Sequence, residues 1–368
     1  MSSTAVARIN AAALLNNLER VCESAPGCRI MAVIKANAYG HGLEDVARVL
    51  DGADAFAVAR VDEGIRLRRA GTTKPVVVLS GWAHAPALDL AREHDLDLVV
   101  HNEVQIERVE ADAGGQPVSI WLEIDSGMGR LGIGPAEAQD AVARLRACPS
   151  VGNELRLMTH LACADELENP ATTEQLARFA DAIGDWDGDV SIANSAAVLA
   201  WPETLSAGAR LRYSGANWVR PGLMLYGITP FATRSAAELG LMPAMSFESE
   251  LIALRHLPTG SRVGYGGAWQ ASRDSVIGVI GAGYGDGYPW RLPREAVVIV
   301  NGAAVPVVGR ISMDLISVDL TDAANAKIGD RAVLWGAEPE VTELAGWAET
   351  IAYDLVSGVS ERVQRICE

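Results

Sequence analysis

The chain has no CxxC pair and no cysteine spacing suited to a metal. Its five cysteines, Cys22, Cys28, Cys148, Cys163 and Cys367, are odd in number and read as reduced thiols. A surplus of basic charge is also missing. Lys and Arg number 31 against 47 Asp and Glu, a net charge of −16, which opposes non-specific affinity for nucleic acid or anionic membranes and leaves a small molecule as the expected partner. No stretch is an uninterrupted membrane span, and the opening MSSTAVARINAAALLNNLER lacks both a basic leader and a long apolar core, so a cytoplasmic location is expected. Low-complexity linkers, repeat arrays and charge blocks are absent as well.

At 368 residues and 49% hydrophobic content, the chain exceeds the usual size of one domain and predicts two that pack closely. Between residue 29 and about 227, short runs rich in Val, Ile and Leu alternate with amphipathic segments, the pattern of parallel strands joined by helices. Eight such runs occupy 29–36, 53–59, 75–81, 96–102, 118–125, 154–162, 189–196 and 218–227. They predict an α/β fold over 1–236, a closed eight-stranded (β/α) TIM-like barrel rather than an open sheet. LEDVARVL, VDEGIRLRRAG and PAEAQDAVARLRAC between them carry helical periodicity. After about residue 236 the pattern changes to strand alternation, and Asn301-Gly302 between two β-branched runs predicts a two-residue hairpin. A β-rich C-terminal domain is expected over 237–368, with VTELAGWAETIAYDLV as one helix against it.

Chemistry is expected where the barrel strands end. The run RIMAVIKA passes into the polar turn NAYGHG through a single lysine, Lys35. On the strand pattern alone such a lysine either snorkels to water or is desolvated, and a desolvated amine loses its proton near neutral pH and attacks carbonyls. Asn37, Asp125, Arg130, His160, Asn194, Ser195 and Arg220 also stand at carboxyl ends of runs, so closure of a barrel would gather them on one face.

Eight strings recur in order through both expected domains: VIKANAYGHG at 33–42, EIDSGMGRLG at 123–132, MTHLACADE at 158–166, ANSAA at 193–197, VRPGLMLYG at 219–227, VGYGG at 263–267, GYGDGYP at 283–289 and GRISMD at 309–314. Together they resemble the alanine racemase family, enzymes dependent on pyridoxal 5'-phosphate, and the likeness runs the length of the chain. It implies that Lys35 carries the cofactor as an internal aldimine and becomes a base once an amino acid displaces it, while Tyr265 is the base on the other face. Cofactor contacts are implied for Tyr39, His160, Ser195, Arg220, the backbone at Gly222 and Leu223, and Tyr353, with His160 hydrogen-bonded to the catalytic tyrosine and Arg220 facing the pyridine nitrogen. Arginine accepts no proton, so the ring would be a weak electron sink, which suits racemisation better than transamination. Arg130 and the Met313 N–H are implied in holding the substrate carboxylate, and Arg130 also in contacting the cofactor's phenolic oxygen. Tyr284, Asp165 and Arg310 match positions along an entrance corridor, beside which Trp290 and Arg291 lie.

One position departs from the family pattern. Where many members have a lysine modified to a carbamate, this chain has Glu123, which already carries a carboxylate and is expected to pair with Arg130 unmodified. In the family the residues matching Tyr265 and Met313 reach the other subunit's site, which implies a homodimer with shared active sites. Three alternatives stand beside alanine interconversion: a racemase of serine or another amino acid, a barrel-type decarboxylase of basic amino acids, and a non-catalytic cofactor-binding barrel. Arg220 argues against the decarboxylase, which needs an anionic partner at the ring nitrogen. Residues 237–368 with Tyr265 argue against the carrier.

Overall fold

The computed structural model describes residues 5–80, 82, 86–112, 116–152, 154–323 and 325–368. The chain opens with a strand that the sequence pattern does not single out, β1 (Val6–Ile9), followed by helix α1 (Ala11–Ser24). Asn10 starts that helix by accepting from the Ala13 N–H at 3.0 Å, and Ala13, Leu14, Leu18 and Val21 form its buried face.

Each of the eight expected runs coincides with one barrel strand, the last beginning one residue before its run: β2 (Arg29–Val33), β3 (Ala55–Val58), β4 (Val76–Val78), β5 (Asp97–Val100), β6 (Ile120–Glu123), β7 (Arg156–Met158), β8 (Val190–Asn194) and β9 (Asn217–Arg220). Gly81, the last residue of the third run, lies outside the described residues. All pairings are parallel, and the wall closes in the order β9-β2-β3-β4-β5-β6-β7-β8, with β9 meeting β8. β3, β4, β6 and β9 are buried along their whole length, which is why their runs read as continuous rather than alternating apolar stretches. Helices α2 (Leu43–Val49), α3 (Val61–Arg69), α4 (Pro86–Glu93), α5 (Glu103–Ala111), α6 (Ala138–Ala147), α7 (Ala171–Ile183) and α8 (Ser195–Ala200) connect the strands.

The second domain is built on one long strand, β10 (Met245–Leu257). It pairs antiparallel with β1, with β11 (Ser275–Ile280) and, beyond the hairpin strands β12 (Val297–Val300) and β13 (Ala303–Pro306), with β15 (Arg331–Trp335); β14 (Ile316–Asp319) pairs with β11. Asn301 and Gly302 link β12 to β13 with φ of 50° and 79°, the left-handed pair that a tight hairpin requires. The sheet's other edge is β16 (Gln364–Cys367), parallel to β1. The first strand of the chain thus lies in the second domain's sheet, between β10 and β16, and crosses the division expected at 236/237. The one helix expected over 341–356 is two, α9 (Val341–Trp347) and α10 (Ala352–Ser357). Glu349 adopts a φ of 53° and the Thr350 N–H closes back on Ala345 O at 2.9 Å, which ends the first helix and redirects the second. Among the described residues no helix is long and apolar enough to cross a membrane.

Candidate active site

β2 stops at Val33, so Lys35 is not the last residue of a strand but the first of a turn, Lys35–Tyr39. Ala36, Asn37, Ala38 and Tyr39 have φ of 52°, 55°, 54° and 51°, four consecutive L-residues in the left-handed region, each disfavoured by roughly 1–2 kcal/mol. Several partners offset that cost. Asn37 Oδ1 accepts from the Leu43 N–H at 3.0 Å, and Arg365 of the second domain donates through Nε to Gly40 O at 2.6 Å. A Cβ on Gly40 would lie 1.8 Å from Val356 O, so α10 presses directly on the end of the turn and only glycine fits. His41 is buried, and its Nδ1 lies 2.8 Å from Tyr39 O and 3.1 Å from Ala38 O, so this nitrogen carries the proton.

Burial, only partly offset by those carbonyls, pushes His41 from its ordinary 6.5 down to about 4. Between these values the unfolded chain takes up a proton that the native chain refuses. Stability is therefore expected to fall as pH falls from about 6.5 towards 4. Urea unfolding from pH 7.5 to 4.5 checks this, and His41→Asn should flatten the decline.

At the mouth of the barrel Lys35 is half-buried, and burial first, then Arg130 and Arg220, hold its amine below the usual lysine range against the opposing fields of Glu63 and Glu123. Arg220, the last residue of β9, is 5% exposed; Nη1 donates to Ser191 Oγ at 2.5 Å and Nη2 to Thr159 O at 2.6 Å. Burial lowers it to about 10, which leaves it a cation at neutral pH, and its Nε makes no hydrogen bond among the described residues. His160 is driven down to about 3, mainly by burial and then by Arg220, Arg130 and Lys35, so it is neutral and able to accept a hydrogen bond.

Glu123, at the end of β6, is 8% exposed, and burial raises its carboxyl against the lowering fields of Arg220 and Arg130. The direct pair expected with Arg130 is not formed: among the described residues Glu123 is in no ion pair, the guanidinium reaches it only as a field, and Arg130 is exposed. The reason is local. Asp125 Oδ1 accepts from the Gly127, Met128 and Gly129 N–H groups at 2.8–3.1 Å, which curls the loop after β6 and carries Arg130 to the rim.

Tyr39, Ser195 and Gly222 form a cradle beside Lys35. Ser195 Oγ accepts from the Gly222 N–H at 2.9 Å and the Met224 N–H at 3.3 Å, and a Cβ on Gly222 would lie 2.7 Å from the Tyr39 hydroxyl. The Gly222 amide is thus engaged by Ser195, while the Tyr39 hydroxyl makes no hydrogen bond among the described residues; Leu223 follows, buried. The Tyr39 ring stacks on Tyr226 at 4.8 Å and meets Tyr353 of α10 at 5.8 Å, so the broken helix brings a second-domain residue to the barrel mouth of the same chain. Asn37, Asp125 and Asn194, expected on the same face, are spent on their own loops; Asn194, for example, caps α8 by accepting from the Ala197 N–H at 3.1 Å.

Tyr265 stands apart. It opens a turn in the second domain, is 69% exposed and makes no hydrogen bond among the described residues. That turn packs against the Arg310 segment, where a Cβ on Gly264 would lie 3.1 Å from Arg310 N. Met313 is likewise exposed, its loop held by the Gly285 N–H on Met313 O at 2.8 Å and by Arg362 reaching Asp286 and Asp314, both at 2.8 Å. Tyr284 and Trp290 are exposed as well, while the field of Asp165 reaches Tyr353.

Four buried polar residues here escape sequence reading. Ser191 and Thr159 orient Arg220; Gln175 of α7 donates to His160 O at 2.9 Å and accepts from the Ala162 N–H at 2.8 Å; Glu63 of α3 accepts from the Ala36 N–H at 2.7 Å. Only Glu63 has a local signal, an acid at the third position of a helix in VDEG. The others are single polar letters inside apolar or helical patterns.

A closed parallel barrel with a partly desolvated lysine and a buried arginine at its mouth, followed by a β-rich domain, defines a two-domain α/β-barrel protein with a polar site at the carboxyl ends of its strands. Comparison with known proteins carries this further. The family described as "Alanine racemase, N-terminal domain" matches residues 9–230 and "Alanine racemase, C-terminal domain" matches 244–367. The chain is similar to the alanine racemases of Shewanella sediminis, 48% identical over 97% of both chains, and Vibrio cholerae, 46% identical over 98% of this chain and 97% of that one. In structure it is similar to the biosynthetic alanine racemase of Pseudomonas aeruginosa, with a TM-score of 0.92, 42% identity and full coverage of both chains. The chain belongs to the alanine racemase family, and it is an amino-acid racemase, an isomerase.

Proposed function

We propose that the protein interconverts L-alanine and D-alanine with pyridoxal 5'-phosphate held at Lys35. The observation that carries this reading is the joint placement of a lysine whose amine is held low by burial, a buried arginine with one free donor, and the Tyr39–Ser195–Gly222 cradle, all at one barrel mouth. These residues fit the cofactor. Lys35 would hold it covalently, the Arg220 Nε–H suits an unprotonated ring nitrogen, and the Tyr39 and Ser195 hydroxyls with Tyr353 suit a phosphate in a cradle that a Cβ would fill. When bound, the cofactor withdraws electrons from the substrate Cα and makes its proton acidic.

The protein then has to move that proton between faces. Lys35 Nζ serves one face, and burial together with Arg130 and Arg220 makes its proton easier to shed than that of an ordinary lysine. Tyr265 serves the other, contributed by a second copy of the chain in a homodimer, with neutral His160 accepting its hydrogen bond. Support for the shared site is that Tyr265 and Met313 are exposed aromatic and apolar groups on one domain of the single chain. Arg130 at the rim takes the substrate carboxylate, and Glu123 supplies the buried negative charge that offsets Arg220 and Arg130 from within. Glu123→Gln is expected to raise KM for alanine by about 5–10-fold with a smaller change in kcat, since one charge interaction at intermediate dielectric is removed. Unchanged steady-state constants would end that role.

The test of the whole reading is incubation of the purified protein with L-alanine, L-serine or L-lysine, following loss of optical rotation and exchange of the Cα proton. A yellow protein acting fastest on alanine is the expected result. Faster turnover of serine would move the substrate assignment, and a colourless protein indifferent to added pyridoxal phosphate would overturn the role of Lys35.

A further inference from the structure

Resting on the reading above, we propose that Glu63 is a positioning residue of this site, whose carboxylate clamps the left-handed run behind Lys35 to the amino end of α3. Glu63 is 5% exposed and is in no ion pair among the described residues. Its Oε2 accepts from the Ala59 N–H at 2.9 Å and the Arg60 N–H at 3.2 Å, which is what an acid at the third position of a helix ordinarily does. Its Oε1 does something else. It accepts at 2.7 Å from the N–H of Ala36, a residue 27 positions earlier, where the chain leaves β2.

Capping α3 needs only one oxygen, and a glutamine would supply it. Serving two sets of amide donors on opposite sides needs two acceptor oxygens, which only the carboxylate provides. Ala36 is the first of the four left-handed residues, so this bond fixes the peptide plane between Lys35 and Ala36 and with it the direction in which the lysine side chain leaves the backbone. The same carboxylate acts electrostatically on the amine. The charged groups bearing on Lys35 are Arg130 and Arg220 on one side and Glu63 and Glu123 on the other, and removing Glu63 tips that balance towards the neutral amine.

The test compares wild type, Glu63→Gln, Glu63→Asp and, as a fold control on the buried face of α3, Leu67→Ala, all as cofactor-loaded full chains. Two readouts are needed: amide hydrogen exchange of residues 36–40 by mass spectrometry, and the pH profile of kcat at saturating alanine, where substrate has freed the Lys35 amine, with the absorbance of the bound cofactor recorded alongside. Glu63→Gln is expected to speed exchange at 36–40 by ~10-fold or more beyond Leu67→Ala. It should also move the limb that reports the unprotonated lysine to lower pH by about half to one unit. Glu63→Asp keeps the charge but is one methylene short of spanning both donor sets, so exchange rises while the limb stays. Leu67→Ala should lower Tm with neither signature. A folded Glu63→Gln with wild-type exchange and an unmoved limb overturns the proposal; if that variant does not fold, wild-type exchange in Glu63→Asp does so. A wild type that neither holds pyridoxal phosphate nor racemises alanine defeats the underlying reading instead, and the exchange data still decide the clamp.

Discussion

Lys35→Ala is expected to leave the protein colourless after dialysis and to lower kcat for L-alanine by at least ~10⁴-fold, the upper range for loss of a general base, because the covalent anchor is lost with it. The structure supports so large an effect. Lys35 is the one amine that burial, Arg130 and Arg220 together hold below the usual lysine range among the described residues. The fold should survive, because the Lys35 side chain makes no hydrogen bond or ion pair among the described residues and the left-handed run is held by Asn37, His41, Glu63 and Arg365 instead. Absorbance of the dialysed protein, single-turnover racemisation and a melting curve check the three statements. A yellow, active Lys35→Ala protein would remove the assignment.

The second large effect comes from mixing chains. Alone, Lys35→Ala and Tyr265→Phe should each be nearly inactive, whereas equal amounts mixed under subunit exchange should regain about one quarter of wild-type activity. The fraction follows from geometry: half of the dimers are mixed, and each mixed dimer has one site with both bases and one with neither. The observation behind it is that Tyr265 is 69% exposed, in a turn packed against the Arg310 segment rather than against the barrel mouth. No recovery despite demonstrated exchange would place both bases in one chain. Tyr353 should behave differently, because it meets Tyr39 within the same chain: mixing Tyr353→Ala with Lys35→Ala should give no activity above the average of the two parents, since no site of the mixed dimer then holds both Lys35 and Tyr353.

Much of this architecture is legible in the sequence for a definite reason. Parallel barrel strands are buried on both faces, so their apolar letters form uninterrupted runs, and all eight runs coincide with a strand of the closed wall. The Asn301-Gly302 hairpin is equally readable, since few other pairs accept two positive φ values. What escaped is non-local. β1 is a four-residue strand whose partners, β10 and β16, are near the middle and the end of the chain, and no local pattern announces such pairing. The break between α9 and α10 rests on one left-handed Glu349, a residue type that gives no warning of it.

The sequence by itself determined the strand and helix periods, the two-part organisation and the residue types of the site, because these depend on side-chain chemistry and on spacing along the chain. Tertiary structure alone decided which of those residues share a site. Lys35, Glu63, Glu123 and Arg220 come from separate strand and helix ends, and only closure of the barrel sets their charges against one another. It also set Arg130 at the rim rather than on Glu123, and turned Tyr353 towards Tyr39 while leaving Tyr265 outward. Burial and mutual distance are properties of the closed molecule, and on them rest the lowered amine of Lys35 and the neutrality of His160.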